Sequence, residues 1–256
     1  MEPGDDEDVV DHPPPAFEQT GAFPLRLFAS LREGWQPRLT ATSFAVGDRI
    51  GPAILFAILT FIPFTALQGI IPYTHTLRFG NVFGVERVES TMTVGTDVMH
   101  AMGIAMLVLG VELLFFGASY VSLANAFGKA PPGARTTSVR VIALRAVLYR
   151  AWLFPMAGTF GLPVMLASWA MPKDAQSSIL VFVVLMLGVI PLVLHFMGMR
   201  DAARRACGVS DGMSIIVVIV PFILQIVVHG ILVGDGMSDG LLADWLPEPA
   251  VEAVEP

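Results

Sequence analysis

MSIIVVIVPFILQIVVHGILV, residues 213–233, runs for twenty-one positions without one formal charge. About 20 apolar residues in a helix span the ~30 Å hydrocarbon core of a bilayer, so this stretch reads as a membrane helix. Working outward, four earlier stretches read the same way, at about 51–73, 98–123, 147–170 and 178–197. Lys and Arg number four before the first stretch, then two, five, one and three in the successive gaps, and none after the last. Cytoplasmic flanks of membrane helices retain Lys and Arg, so the alternation predicts five spans with the N-terminus cytoplasmic and the C-terminus outside. The expected fold is all-α: a polytopic bundle of five transmembrane helices, preceded by an amphipathic interfacial helix.

Composition points the same way. Charged residues are 14% of the chain, hydrophobic residues 54%, and the mean hydropathy is +0.69; an ordinary soluble domain carries about 25% charged residues. Five helices of about 20 residues consume nearly half of the 256 residues and leave no room for a sizeable soluble domain. The formal charge of -7 arises because acids crowd the tails while bases crowd alternate loops, a pattern that does not indicate nucleic-acid binding. Cys207, beside Arg204 and Arg205, has no partner for an intramolecular disulfide and reads as a cytoplasmic thiol. The start, with Glu2, Asp5, Asp6, Glu7, Asp8 and Pro13 to Pro15, does not resemble a cleavable signal.

Three regions follow. Residues 1–21 are acidic and Pro-rich and are expected to be a disordered tail, residues 22–234 are expected to form the membrane domain, and residues 235–256 a second disordered acidic tail. From Phe23 the texture changes: Phe23, Leu27, Leu31 and Trp35 recur every fourth residue and line one helical face. Such a helix either lies among the headgroups, with Arg26 favouring an anionic leaflet, or packs as a scaffold on the spans. After the second span, Val141, Leu144, Val147 and Leu148 form a helical pattern that carries Arg140 and Arg145 to the membrane surface, where their stems can snorkel. Arg26, Trp35, Arg140 and Arg145 are therefore the candidate membrane-surface contacts.

Inside the spans, a kink is expected near Pro63, and Val82, Val85 and Val88 suggest a short hairpin in the loop that follows. The third span carries Pro155, Gly158, Gly161 and Pro163, a density that implies close packing or a broken helix. The strings Val189 to Leu194 and Ile219 to Leu224 look alike, but six residues are too few for an inverted repeat. Glu112 is the one acid near the middle of a span. A carboxylate at that depth is costly, so it flags either a functional site or a structural hydrogen bond to Gln225, His100, His229 or a backbone group freed by a proline. Glu112, Gln225 and His229 are thus the candidate intramembrane polar site.

Catalytic signatures are not seen. The sequence holds no Gly-rich phosphate loop with Lys and Ser or Thr, no His-Glu-x-x-His pair, no Gly-x-Ser-x-Gly elbow and no paired carboxylates within one span, so no catalytic residue, cofactor or metal site is predicted. A metal site shared by His100 and His195 is disfavoured, because the topology sets them about 30 Å apart.

One resemblance gathers these segments. Phe23-Pro24-Leu25-Arg26-Leu27-Phe28, Pro37-Arg38, and Gly51-Pro52 opening the first span are followed by Arg140-Val141-Ile142-Ala143-Leu144-Arg145 before a third span rich in Pro and Gly. Then Arg204-Arg205-Ala206-Cys207-Gly208-Val209-Ser210 leads into a fifth span centred on Pro221. Over about Phe23 to Val233 the arrangement resembles the Yip (Ypt-interacting protein) family of five-span membrane proteins, bacterial members in particular. The resemblance implies a cytoplasmic N-terminus, five helices and, in eukaryotic relatives, binding of prenylated small GTPases in vesicle trafficking. The acidic N-terminal segment lacks the Asp-Leu-Tyr-Gly-Pro motif of those relatives, which puts GTPase binding in doubt. The expected function is a non-enzymatic scaffold in the bacterial inner membrane, acting through the lipid bilayer and a protein partner or further copies of itself. The alternative is a small transporter or proton-coupled channel using Glu112.

Overall fold

The computed structural model describes residues 13–36, 42–47, 49–79, 96–132, 134, 138–159, 178–233 and 240–242. Among these residues every regular element is helical. A 3₁₀ turn at Ala16–Glu18 precedes α1 (Phe23–Gly34), α2 (Ser43–Val46), α3 (Gly51–Phe79), α4 (Thr96–Phe127), α5 (Val139–Arg150), α6 (Leu153–Thr159), α7 (Ser178–Asp201) and α8 (Asp211–Val233). A π-helical segment, Ala202–Ala206, continues α7. Among the described residues, two helices are long and apolar enough to cross a membrane: Met102–Phe127 within α4, and α8 itself. A shorter apolar stretch covers Gly51–Leu67 of α3. The hairpin expected around Val82 to Val88, most of the third span, and the tail beyond Leu242 lie outside the described residues.

Helix limits follow local chemistry. α3 runs through Pro63 as one helix, since a single missing N–H does not stop a strongly apolar segment. The third span instead opens with an interruption at Ala151 and Trp152, between α5 and α6. Pro155 accounts for it, because a proline ring meets the carbonyl four residues earlier, here that of Ala151. After the π segment, Gly208 takes the left-handed conformation with φ 63°, and the Val209 N–H returns to the Ala203 carbonyl. A Cβ at Gly208 would run into the Lys129 carbonyl, so both backbone shape and close approach require glycine there. Leu241 and Leu242 donate their N–H groups to the carbonyls of Ile231 and Leu232, capping the end of α8.

The chain divides into two compact units. The first comprises Met1–Thr60, Leu113–Leu153 and Val193–Ile226, and the second Phe61–Glu112, Phe154–Leu192 and Val227–Pro256. The core of the first is built around α5, whose Ile142, Ala143, Arg145, Ala146, Val147, Tyr149 and Arg150 are all buried. Aromatic rings surround it: Phe56 lies 5.1 Å from Tyr149 and 5.3 Å from Phe17, and Phe44 stacks on Tyr149. Phe17 comes from the segment whose composition suggests a disordered tail. Residues 13–21 are held instead by burial of Ala16 and Phe17 and by hydrogen bonds: the Phe17 N–H to Ser30 Oγ at 2.7 Å, and the Ala16 N–H to the Glu33 carboxylate at 3.0 Å. Two apolar side chains and a set of polar partners in α1 outweigh the local composition. In the second unit Thr65, Ile104, Val108, Leu109, Glu112 and Val228 are buried.

Candidate functional site

In the first unit the basic loop does not deliver its arginines to the surface as the sequence suggests. Arg140 is exposed, but Arg145 is fully buried, with Nη2 donating to Glu18 Oε1 at 2.5 Å. The Tyr149 hydroxyl donates to the same oxygen at 2.8 Å. Expected as a membrane-surface contact, Arg145 is corrected to an internal ion pair. The reason is that Glu18, assigned to the tail by composition, folds back and supplies the counter-charge that lets a guanidinium leave water. Arg145 lies against Gly47, where any Cβ would collide with the guanidinium.

Arg150 is lodged the same way, 1% exposed against Gly198, with Nη2 donating to the carbonyls of Leu194 at 2.9 Å and Gly34 at 3.2 Å. His195 Nδ1 sits 3.1 Å from the Arg150 carbonyl, and the Tyr120 hydroxyl donates to the Met199 carbonyl at 2.9 Å. These contacts bind α1, α4, α5 and α7 through backbone carbonyls.

Arg26 and Trp35, the other two expected surface contacts, are half-buried. Arg26 Nη1 donates to the carbonyls of Phe17 and Gln19, and its guanidinium carbon lies 5.7 Å from the centre of the Phe17 ring. Trp35 packs edge-on against Trp152, ring centres 6.4 Å apart. The α1 face turned inward carries Ser30 and Gly34, while Leu25 and Phe28 are 71% and 66% exposed. The small residues face inward because they allow close approach; Trp152 would block any Cβ at Gly34.

Beside α1 the same unit contains a cavity of about 540 Å³, lined by Arg26, Arg49, Glu18, Phe17, Gly47 and the start of α3. Burial raises the Glu33 carboxyl above its ordinary range, opposed by the hydrogen bonds from Ala16 and Ser30. At the turn after α7, burial pushes the Cys207 thiol up to about 12. A thiol so placed is inert at neutral pH.

In the second unit Glu112 and His229 meet. His229 Nδ1 and Glu112 Oε1 are 2.7 Å apart, with the carboxyl 2% exposed and the imidazole 53% exposed. Gln225, also expected at this site, is buried but belongs to the first unit. His100 is exposed, and His195 belongs to the Arg150 contact described above. No group of three or more His, Cys, Asp or Glu poised for a metal occurs among the described residues. The sequence names His229 among four potential partners of Glu112; the inward turn of Arg145 and the cavity beside α1 are missed. Three arginines five residues apart do carry a signal. At about 100° per residue they point about 140° apart around a helix, so they cannot share one face.

Compared with known proteins, the chain matches no family model, no curated protein and no solved structure.

Proposed function

We propose that this chain is a Yip-type integral membrane protein of the bacterial inner membrane. It crosses five times with its N-terminus cytoplasmic, lays α1 in the interface, and acts without catalysis as an interaction or membrane-organising scaffold. One observation carries the membrane reading. Along α8, Ile216, Val220, Ile223, Val227 and Ile231 form a continuous stripe at helical spacing, each 45–54% exposed. Burying an Ile or Val fully is worth about 1.5–3 kcal/mol, so half-exposing five of them to water would forfeit roughly 4–8 kcal/mol that lipid contact restores. The scaffold reading draws on the absence of catalytic motifs and on α1 held to the buried α5 by the Arg150 bond to the Gly34 carbonyl.

Two measurements test it. Alkaline carbonate should leave the protein in the membrane pellet, and a cysteine placed at Ser238 should label from outside intact cells. Release into the supernatant, or labelling only after lysis, would overturn the topology. Purification in mild detergent should yield an oligomer or a stoichiometric partner; a lone monomer would remove the scaffold.

The Glu112 and His229 pair favours a second reading, a proton-coupled transporter or channel. A buried carboxyl joined to a half-exposed imidazole on an apolar helix is a two-site proton relay in form. Glu112→Gln in reconstituted vesicles should then abolish a pH-driven flux seen with the wild type, and equal flux in both would exclude it.

A further inference from the structure

The cavity beside α1 combines features that the scaffold reading does not use. Two arginines, Arg26 and Arg49, line it. Its acid, Glu18, is already matched by Arg145 and the Tyr149 hydroxyl, so among the described residues that line it the cavity keeps a net positive charge. Arg49 is exposed and makes no ion pair with a described residue. Gly51 and Pro52 also line it, at the start of the 29-residue α3, and the first bond into that helix is from the Ile54 N–H to the Ile50 carbonyl. Backbone N–H groups ahead of that bond add partial positive charge on the same side. Guanidinium groups bind phosphate oxygens in a fork geometry, and helix starts reinforce anions.

The rim decides what kind of phosphate. Leu55 lines the cavity and is 48% exposed, and Ile54 and Ile58 beside it are 45% and 49% exposed. Phe23, on the α1 side, also lines the cavity and is 42% exposed. A ligand with its anionic end against the arginines would therefore continue along aliphatic surface, whereas a small hydrophilic phosphate would leave that surface bare. We infer that this cavity is a binding site for the headgroup of an anionic phospholipid, with the phosphate held by Arg26 and Arg49 and an acyl chain lying along Leu55 and Ile58. The inference rests on the membrane reading above and names the lipid class that the scaffold recognises.

The test uses the full chain purified in a neutral detergent, with melting temperature read against added phosphatidylglycerol, phosphatidylcholine or inorganic phosphate. Phosphatidylglycerol should stabilise the protein, and the other two should not. Arg49→Gln should weaken the phosphatidylglycerol response about tenfold, as expected for losing one charge-assisted contact. Arg204→Gln, a cation outside the cavity that is paired with Asp211, should leave it unchanged. Equal responses to phosphatidylcholine, or an Arg49→Gln response equal to wild type, would overturn the site, and equal stabilisation by inorganic phosphate would overturn the lipid. Should Arg49→Gln not purify, a photoreactive phosphatidylglycerol on the wild type should crosslink to residues 49–58, and crosslinks confined elsewhere would overturn the proposal. Carbonate extraction separates the two failures: an inserted protein that ignores phosphatidylglycerol removes only the lipid site, whereas a released one removes the membrane reading itself.

Discussion

Replacing Glu18 by Gln isolates the contact that folds the N-terminal segment onto the bundle. The Glu18 side chain is 11% exposed and that of Arg145 0%, so the pair is shielded from water and salt alike. Gln keeps the volume and one acceptor but deletes the counter-charge, leaving a buried guanidinium whose Nε and Nη1 already have no hydrogen-bond partner among the described residues. Breaking a buried pair from one side costs about 3–5 kcal/mol. At roughly 2–4 °C per kcal/mol for a chain of this size, the melting temperature should fall by roughly 6–20 °C. Circular dichroism at 222 nm in a fixed detergent reads that fall. The double variant Glu18→Gln, Arg145→Met removes the stranded charge and should recover much of the loss, since an apolar replacement of a buried pair is often neutral or stabilising. A single variant melting within about 2 °C of wild type, or a double variant as damaged as the single, would refute the reasoning.

Three further outcomes rest on burial and close packing. Gly198→Ala should cost at least about 3 kcal/mol, because its Cβ displaces Arg150 from the Leu194 and Gly34 carbonyls; Gly110→Ala, with open space around it, should be neutral or slightly stabilising in the same denaturant titration. Cys207, buried with its thiol at about 12, should resist maleimide at pH 7.5 in folded protein and react only after denaturation, so its protection in cells reports packing and not sidedness. Glu33 is raised above its ordinary 4.5, so its contribution to stability is full below that value and is lost as pH rises through the raised folded value. Melting curves between about pH 4 and 7 should show that decline, and Glu33→Gln should flatten it.

Much of the helical frame was legible because apolar runs announce themselves. The Asp211–Val233 helix begins two residues from the expected span and ends with it, since nothing inside the run competes with a helix. Glu112 stood out for the opposite reason, one acid in an apolar run, and its partner His229 was among the residues named for it. Other features depend on surroundings that no local pattern encodes. α5 reads as a half-polar surface helix, yet it is buried on most sides because Glu18 pairs with Arg145 and the carbonyls of Leu194 and Gly34 accept from Arg150. Gly47 and Gly198 look like ordinary glycines until an arginine from another helix is placed against them. The tail composition of residues 1–21 hid Phe17, because averages over an acidic segment conceal one aromatic ring with a core to enter.

The Glu18 and Arg145 pair also sets a timetable. The two residues are 127 positions apart, so at roughly 5–20 residues per second the carboxylate is made about 6–25 s before its guanidinium exists. During that interval two apolar helices are synthesised while the first thirty-odd residues wait without their counterpart. A ribosome stalled before Arg145 therefore holds an N-terminal segment still open to proteases, and release of the stall should close it.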